Sequence, residues 1–319
     1  MLRYKDWMTY SYNNVVGARK KHKHDVFKLH VREDINIQSF SYAEALLNNA
    51  LKIHDRFKMP QDVLLSGGID SELIVRVNQK LSIPQNLFTF RLENDLNKQD
   101  VIWSQQLANE LGLKLNVIDF NVKKFIETDA YDLYQKTLMP IVYLLRTQWF
   151  DYLDNLPVVG NCEHYWKRGL GTDYTSKSTW YYKLVDCEFC HSFYGEMTGR
   201  DIIGEWYLYT PEPMYSYNKH HVIANLLKDQ VPGKASSWSS RHLVVKDLFP
   251  SLEYKKKLTG YEGDREPGHK PDYMIDFENK TAGYRDYYSV AIPDYQFDDF
   301  MLGKDPIIEN ITFNDNFIS

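Results

Sequence analysis

The chain has 319 residues, a net charge of −5 at pH 7 and 43% hydrophobic residues, enough for a sizeable core in one large domain or two closely packed ones. That charge argues against a protein that coats nucleic acid by bulk electrostatics and leaves the basic run Arg19-Lys20-Lys21-His22-Lys23-His24 as the candidate local patch for phosphate or nucleic acid. No apolar run is long enough to span a bilayer or serve as a signal peptide, and three cysteines are too few for a disulfide scaffold, so a soluble, cytoplasmic protein is expected.

Val26 to Val31 reads as the first clear strand. Ser41 followed by Glu44 is a capping-box pattern, and the helix it opens carries Ala43, Leu46, Leu47, Ala50, Leu51 and His54 on one side until Met59-Pro60 ends it. Val63-Leu64-Leu65 is an apolar strand that runs into Ser66-Gly67-Gly68-Ile69-Asp70-Ser71. Leu73, Ile74, Val77 and Leu81 then recur at helical spacing. A strand that empties into glycines, hydroxyls and a carboxylate where a helix begins has the chemistry of a phosphate cradle. Glycines let the backbone approach an anion closely, and the first N–H groups of a helix have no internal partner and sit at its positive end. Ser66 and Ser71 offer hydroxyls to phosphate oxygens, and Asp70 offers a carboxylate to the Mg2+ that accompanies a nucleotide. The plainer reading is an ordinary turn capped by Asp70 or Ser71. The strand before and the amphipathic helix after favour anion binding.

Leu87-Phe88-Thr89-Phe90 is the next strand, and the acidic segment Glu93 to Asp100 leads into a helix marked by Val101, Leu107, Ala108 and Leu111, with Gly112 as its stop. Leu113, Leu115, Val117 and Ile118 give a further strand. Leu133 to Leu153 is mostly helical with a break at Pro140, and Pro157-Val158-Val159-Gly160 is one more strand reaching the same edge. Strands and helices in strict alternation predict parallel pairing with right-handed crossovers, a doubly wound α/β layer with ligands at the carboxyl ends of the strands. Beyond Gly160 strand signals fade. His221 to Leu227 and Arg241 to Leu248 read as helices, and many of the 24 tyrosines, 16 phenylalanines and 7 tryptophans fall in this half, filling space between helices or walling a substrate cleft. The expected division is residues 1–59 as an N-terminal region packed on the core, 60–165 as a nucleotide-binding α/β core, and 166–319 as a helical, aromatic-rich substrate region.

Cys187-Glu188-Phe189-Cys190-His191 has zinc-ligand spacing, and Cys162 with His164 can complete a four-ligand zinc or iron–sulfur site. The default for these residues is free, buried or partly buried thiols.

The run Ser66-Gly67-Gly68-Ile69-Asp70-Ser71 resembles the PP-loop, SGGxDS, of the ATP pyrophosphatases, and lacks the Gly-Lys-Ser/Thr ending of a Walker A loop. That resemblance implies an adenine nucleotide alpha hydrolase-like fold, ATP and Mg2+ as cofactors, and cleavage of ATP between the α and β phosphates with an adenylate formed on the substrate. The elements after the loop resemble the synthetase domain of asparagine synthetase and its relatives over roughly residues 60 to 260. The resemblance implies that backbone groups at Phe88 and Phe90 help hold adenine. Val159-Gly160-Asn161-Cys162-Glu163-His164 stands where that family has a Ser-Gly-Glu-Gly-Ala-Asp turn. Gly160 then belongs to the nucleotide site. Asn161 replaces the family's substrate-positioning glutamate, His164 replaces its metal aspartate, and Glu163 is the better second metal ligand after Asp70 because a hard cation prefers oxygen. Pro211 to Tyr217 resembles the family's R-x-P-F-L-D segment without its arginine and aspartate, and Glu253 to Gly260 resembles R-x-K-E-x-F, which places Lys257 on the catalytic lysine and Lys255 on the arginine. No counterpart of the glutaminase domain is present, and Leu2 follows the first methionine where a processed chain would expose a cysteine, so glutamine hydrolysis is not expected.

The resulting expectation is an amide-forming ligase of asparagine-synthetase type. It adenylates a carboxylate or carbonyl substrate on an ATP held by Ser66, Gly67, Gly68, Asp70 and Ser71, with Lys257 and Asp70 as the catalytic pair, and passes the product to ammonia or an amine. The partner expected is a small molecule. Two other readings stand beside it: a PP-loop enzyme of nucleobase or tRNA modification or of sulfur transfer, and an inactive nucleotide-binding or interaction protein.

Overall fold

The computed structural model describes residues 7–12, 27–31, 37–38, 40–137, 141–160, 165–169, 179–185, 190–223, 238–252, 271–281 and 289–293. Strands β1 (Met8–Tyr12) and β2 (Phe27–Val31) form an antiparallel pair with Met8 opposite Val31. Helix α1 (Tyr42–Phe57) begins with the capping box read from the sequence. The Ser41 hydroxyl accepts the Glu44 N–H at 3.2 Å, and the Glu44 carboxylate accepts the Ser41 N–H at 2.9 Å. Its buried face is Tyr42, Ala45, Leu46, Asn49, Ala50 and Ile53, rotated from the stripe expected, so that Leu51 is exposed and polar Asn49 is core. Asn49 holds that place because its side-chain amide is bonded at both ends, donating to the Trp206 carbonyl at 2.8 Å and accepting the Thr210 N–H at 2.9 Å.

The centre is a parallel four-stranded sheet in the order β5-β4-β3-β6, built from β3 (Gln61–Leu64), β4 (Gln85–Leu92), β5 (Leu115–Phe120) and β6 (Leu156–Val159). Register is fixed at its amino end by the fully buried Asp62, whose carboxylate accepts the Asn86 side-chain amide at 2.7 Å and the Asn155 backbone N–H at 2.8 Å, joining three strands. Helices α2 (Ile69–Lys80) and α3 (Lys98–Leu111) make the crossovers to β4 and β5. Gly112 ends α3 in the left-handed conformation, as expected. After β5 the chain returns through α4 (Val122–Thr128), α5 (Ala130–Thr137) and α6 (Ile141–Trp149) to β6, on the other side of β3.

This reversal puts helices on both faces, because a right-handed crossover places its helix according to the direction in which the chain moves across the sheet. Alternate residues of β3 therefore enter different cores. Val63 and Leu65 pack with Leu46, Ala50 and Ile53 of α1 and with Leu73, Ile74 and Val77 of α2. Leu64 packs on the opposite side with Phe125, Leu144 and Leu145 of α4 and α6. The later chain covers both layers. Helices α8 (Pro211–Lys219) and α9 (Trp238–Val245) join the first through Met214, Tyr217 and Val244, and α7 (Cys190–Thr198) and α10 (Asp272–Thr281) join the second through Tyr194, Met274 and Phe277.

The region after Gly160 is less purely helical than expected. Strands β7 (Tyr165–Gly169), β8 (Thr179–Val185) and β9 (Ser289–Pro293) form an antiparallel sheet with β8 in the middle. The run Thr179-Trp180-Tyr181-Tyr182 has the aromatic and β-branched content that suits a strand, but its pairing with β9 joins segments far apart in the chain, which no local pattern reveals. Among the described residues no helix is long and apolar enough to cross a membrane.

Candidate nucleotide-binding site

The sheet order changes direction between β3 and β6, and in an open α/β sheet the crevice outside the carboxyl ends of two such strands is where ligands bind. Two segments reach that crevice, the loop from Ser66 to Ser71 after β3 and Gly160 after β6.

The loop is built to keep its carbonyls inward. The Leu65 carbonyl accepts the Thr89 hydroxyl at 2.9 Å, the Gly68 carbonyl accepts the Ser71 hydroxyl at 3.1 Å, and the Asp70 carbonyl accepts the Tyr207 hydroxyl at 2.7 Å. A trans peptide is planar and its N–H points away from its C=O, so each of these bonds also fixes the direction of the following amide, that of Ser66, Ile69 or Ser71. The Ser66 N–H closes the loop by donating to the Ser71 hydroxyl at 3.3 Å. Gly68, the residue before α2, has extended backbone and supplies no side-chain cap, which leaves the first turn of the helix without the hydroxyl or carboxylate that usually covers it.

Two glycines make the geometry possible. Gly67 has φ +67°, and a Cβ there would lie 3.0 Å from Trp103 Cβ and 3.1 Å from the Asp100 carbonyl oxygen of α3. At Gly160 a Cβ would lie 2.8 Å from the Ser71 nitrogen and 2.9 Å from the Asp70 carbonyl carbon. The end of β6 thus rests directly on the Asp70–Ser71 peptide, and a methyl group would fill the space beside that amide.

The site residues expected from the sequence fall into three groups. Ser66, Gly67, Gly68, Asp70, Ser71 and Gly160 converge, with Asp70 half-buried on the first turn of α2. Ser71 is 2% exposed and its hydroxyl acts within the loop, bracing it. Phe88 and Phe90 lie on β4 beside the loop, but their carbonyls accept the Leu65 N–H at 2.7 Å and the Asn97 side-chain amide at 2.7 Å. The Phe90 ring is core, stacked on Trp149 with centroids 4.6 Å apart. Lys257 and Glu163 lie outside the described residues, as do Asn161, Cys162, His164, Cys187, Lys255 and the basic run from Arg19 to His24; Cys190 opens α7. Among the described residues no group of three or more His, Cys, Asp or Glu side chains gathers for a metal. A nucleotide-bound Mg2+ takes one or two carboxylates with phosphate oxygens and water, and the Asp70 position fits that smaller requirement.

The loop after β4 flanks the crevice and is held firmly. Asn97 accepts the Leu92 N–H at 2.9 Å, and the Glu93 carboxylate accepts the Val122 N–H at 2.8 Å, the Lys123 N–H at 2.9 Å and the Tyr273 hydroxyl at 2.7 Å. Burial and the neighbouring Glu93 push the Tyr273 phenol above its ordinary range. Between these anchors Asn94 and Asp95 both have φ 56°, a strained pair in the left-handed region.

Sequence reasoning missed Tyr207, Thr89 and Gly160's close approach to the loop amide. Only Asn49, a polar residue on an otherwise apolar helical face, carried a local sign that the segment around Tyr207 matters.

Residues 43–143, from α1 through β5 to α6, match the family model for asparagine synthase. No curated protein matches significantly. Among solved structures, a predicted tRNA methyltransferase subunit from Methanocaldococcus jannaschii is 19% identical, with 70% of this chain and 88% of that one covered and a TM-score of 0.34. NMN synthetase from Francisella tularensis is 13% identical, with 77% and 97% covered and a TM-score of 0.33. NH3-dependent NAD synthetase from Campylobacter jejuni is 14% identical, with 77% and 95% covered and a TM-score of 0.32.

Proposed function

We propose that this protein is an ATP-dependent ligase that adenylates a carboxylate or carbonyl oxygen of its substrate, releases pyrophosphate and transfers the activated group to ammonia or an amine, with chemistry of the asparagine synthetase kind. The observation that carries the reading is the loop itself. Its carbonyls are tied back by three hydroxyls, no side chain caps the helix it opens, and two glycines let α3 and the end of β6 pack directly against it. A triphosphate seated on those amides presents its α phosphorus at the mouth of the crevice to an incoming oxygen. Negative charge then grows on the departing pyrophosphate. The Ile69 and Ser71 amides, whose directions the loop fixes in advance, and the positive end of α2 would meet that charge with little reorganisation. Asp70 and Glu163 would hold Mg2+, which when bound neutralises phosphate charge, and Lys257 would add a cation on the leaving group.

The test is incubation with labelled ATP, Mg2+ and a panel of carboxylic acids with ammonia or amines, followed by separation of the nucleotides. The reading expects AMP and pyrophosphate in equal amounts, dependent on the acid. Release of ADP and phosphate in their place, or bound ATP returned intact with every acid and amine, would count against it.

A further inference from the structure

We propose that Tyr207 is a positioning residue that sets the orientation of the Asp70–Ser71 peptide and, through it, of the nucleotide loop; this rests on the ATP-binding reading of that loop. Tyr207 is 1% exposed, and its hydroxyl donates to the Asp70 carbonyl at 2.7 Å. In the first turn of an α-helix that carbonyl has a regular partner in the N–H four residues on, so the backbone needs no second donor there. The peptide is gripped at both ends. Tyr207 holds its oxygen, and the bare Gly160 backbone presses on its nitrogen, where a Cβ would come within 2.8 Å. Because the unit is planar, these two contacts fix the Ser71 N–H and the Cα from which the Asp70 carboxylate projects.

The segment that carries Tyr207 is itself immobilised from elements outside the loop. The Trp206 carbonyl accepts the Asn49 side chain at 2.8 Å, the Leu208 carbonyl accepts the Trp7 indole N–H at 2.9 Å, and the Thr210 N–H donates to Asn49 at 2.9 Å. Just upstream, Ile203 pairs with the outer side of β6, accepting the Val159 N–H at 2.9 Å and donating to Pro157 at 2.8 Å. Tyr207 therefore transmits the placement of α1 and of β6 to one peptide of the loop, across 137 positions of sequence. That peptide lies on the phosphate-binding part of the loop, so its orientation matters for the triphosphate and its metal and not for a nucleotide without the outer phosphates.

The experiment compares wild type with Tyr207→Phe, which removes one oxygen atom, by calorimetry with Mg-ATP and with AMP and by ATP–pyrophosphate exchange. The expected result is Mg-ATP binding weakened about fivefold with AMP affinity unchanged, the exchange rate at saturating ATP reduced, and the thermal midpoint lowered only by the few degrees that one buried hydrogen bond is worth. Equal loss for ATP and AMP, or no loss for either, overturns the proposal and leaves the hydroxyl a packing detail. If wild-type protein binds no ATP, the reading of the site falls and this inference with it. Should the variant fail to fold, hydrogen exchange on wild type decides. Added Mg-ATP slows exchange at the amides of 206–210 as well as 66–72 if the two segments are coupled, whereas protection confined to 66–72 overturns the coupling.

Discussion

A methyl group on Gly160 would sit 2.8 Å from the Ser71 nitrogen, with backbone on the far side and no flexible side chain to give way. Gly160→Ala must therefore shift β6 or α2, at about 1–3 kcal/mol for overpacking. It should also weaken Mg-ATP binding beyond what the lost stability explains, and urea unfolding with calorimetry on the same variant measures both. Asp70→Asn predicts the opposite division. The carboxylate is half-buried on the first turn of α2, so its removal sacrifices about 0.3–1 kcal/mol of helix-dipole interaction, leaving the unfolding midpoint almost in place. Turnover should nonetheless collapse if this group holds the nucleotide's metal. A variant that keeps full activity would remove Asp70 from the metal site. The contrast explains what could be read from sequence alone: Ser66 to Ser71 puts glycines, hydroxyls and acid within six consecutive positions, whereas the Tyr207 contribution is a contact across the fold that no spacing rule anticipates.

At the scale of elements, α7 is tied to the sheet layer through a histidine that stays neutral. His191 is fully buried, lies edge-on to Phe150 with centroids 5.5 Å apart, and packs so closely on Gly204 that a Cβ there would fall 2.4 Å from its own. Burial, with the positive charge of Arg146 nearby, pushes its pKa down to about 3. The unfolded chain binds a proton at this residue below about pH 6.5 while the folded one does not. Stability is consequently complete above that pH and declines as pH falls toward the folded value, by up to about 1.4 kcal/mol per unit. His191→Gln should flatten this slope, and denaturant midpoints at pH 8 and pH 5 measure it; an unchanged slope would mean that other groups govern the acid limb. The elements themselves were legible to different degrees. The capping box of α1, the glycine stop of α3 and the four parallel strands are written in local patterns. The antiparallel sheet β7-β8-β9 and the buried role of Asn49 depend on partners distant in sequence, and hydrophobic spacing alone places Leu51 where Asn49 belongs.

For the whole molecule, the N-terminal region and the α/β core share one interior. Leu46, Ala50 and Ile53 of α1 belong to the same buried cluster as Val63, Leu65 and Val158 of the sheet, and so do Trp7, Trp206 and Tyr207. Removing residues 1–59 would uncover that layer and break both bonds that Asn49 makes to the segment carrying Tyr207. At about 1.5–3 kcal/mol for each large apolar side chain re-exposed, loss of Leu46, Ile53 and the surfaces they cover approaches the total of about 5–15 kcal/mol that holds a typical protein folded. The truncated chain 60–319 is therefore expected to lack a cooperative thermal transition and to bind no Mg-ATP, although it retains every residue of the loop. A truncation that melts cooperatively and binds nucleotide like the full chain would show that β3 to β6 form an independent unit. In that case the hold of α1 on the loop, through Asn49 and Tyr207, would be dispensable.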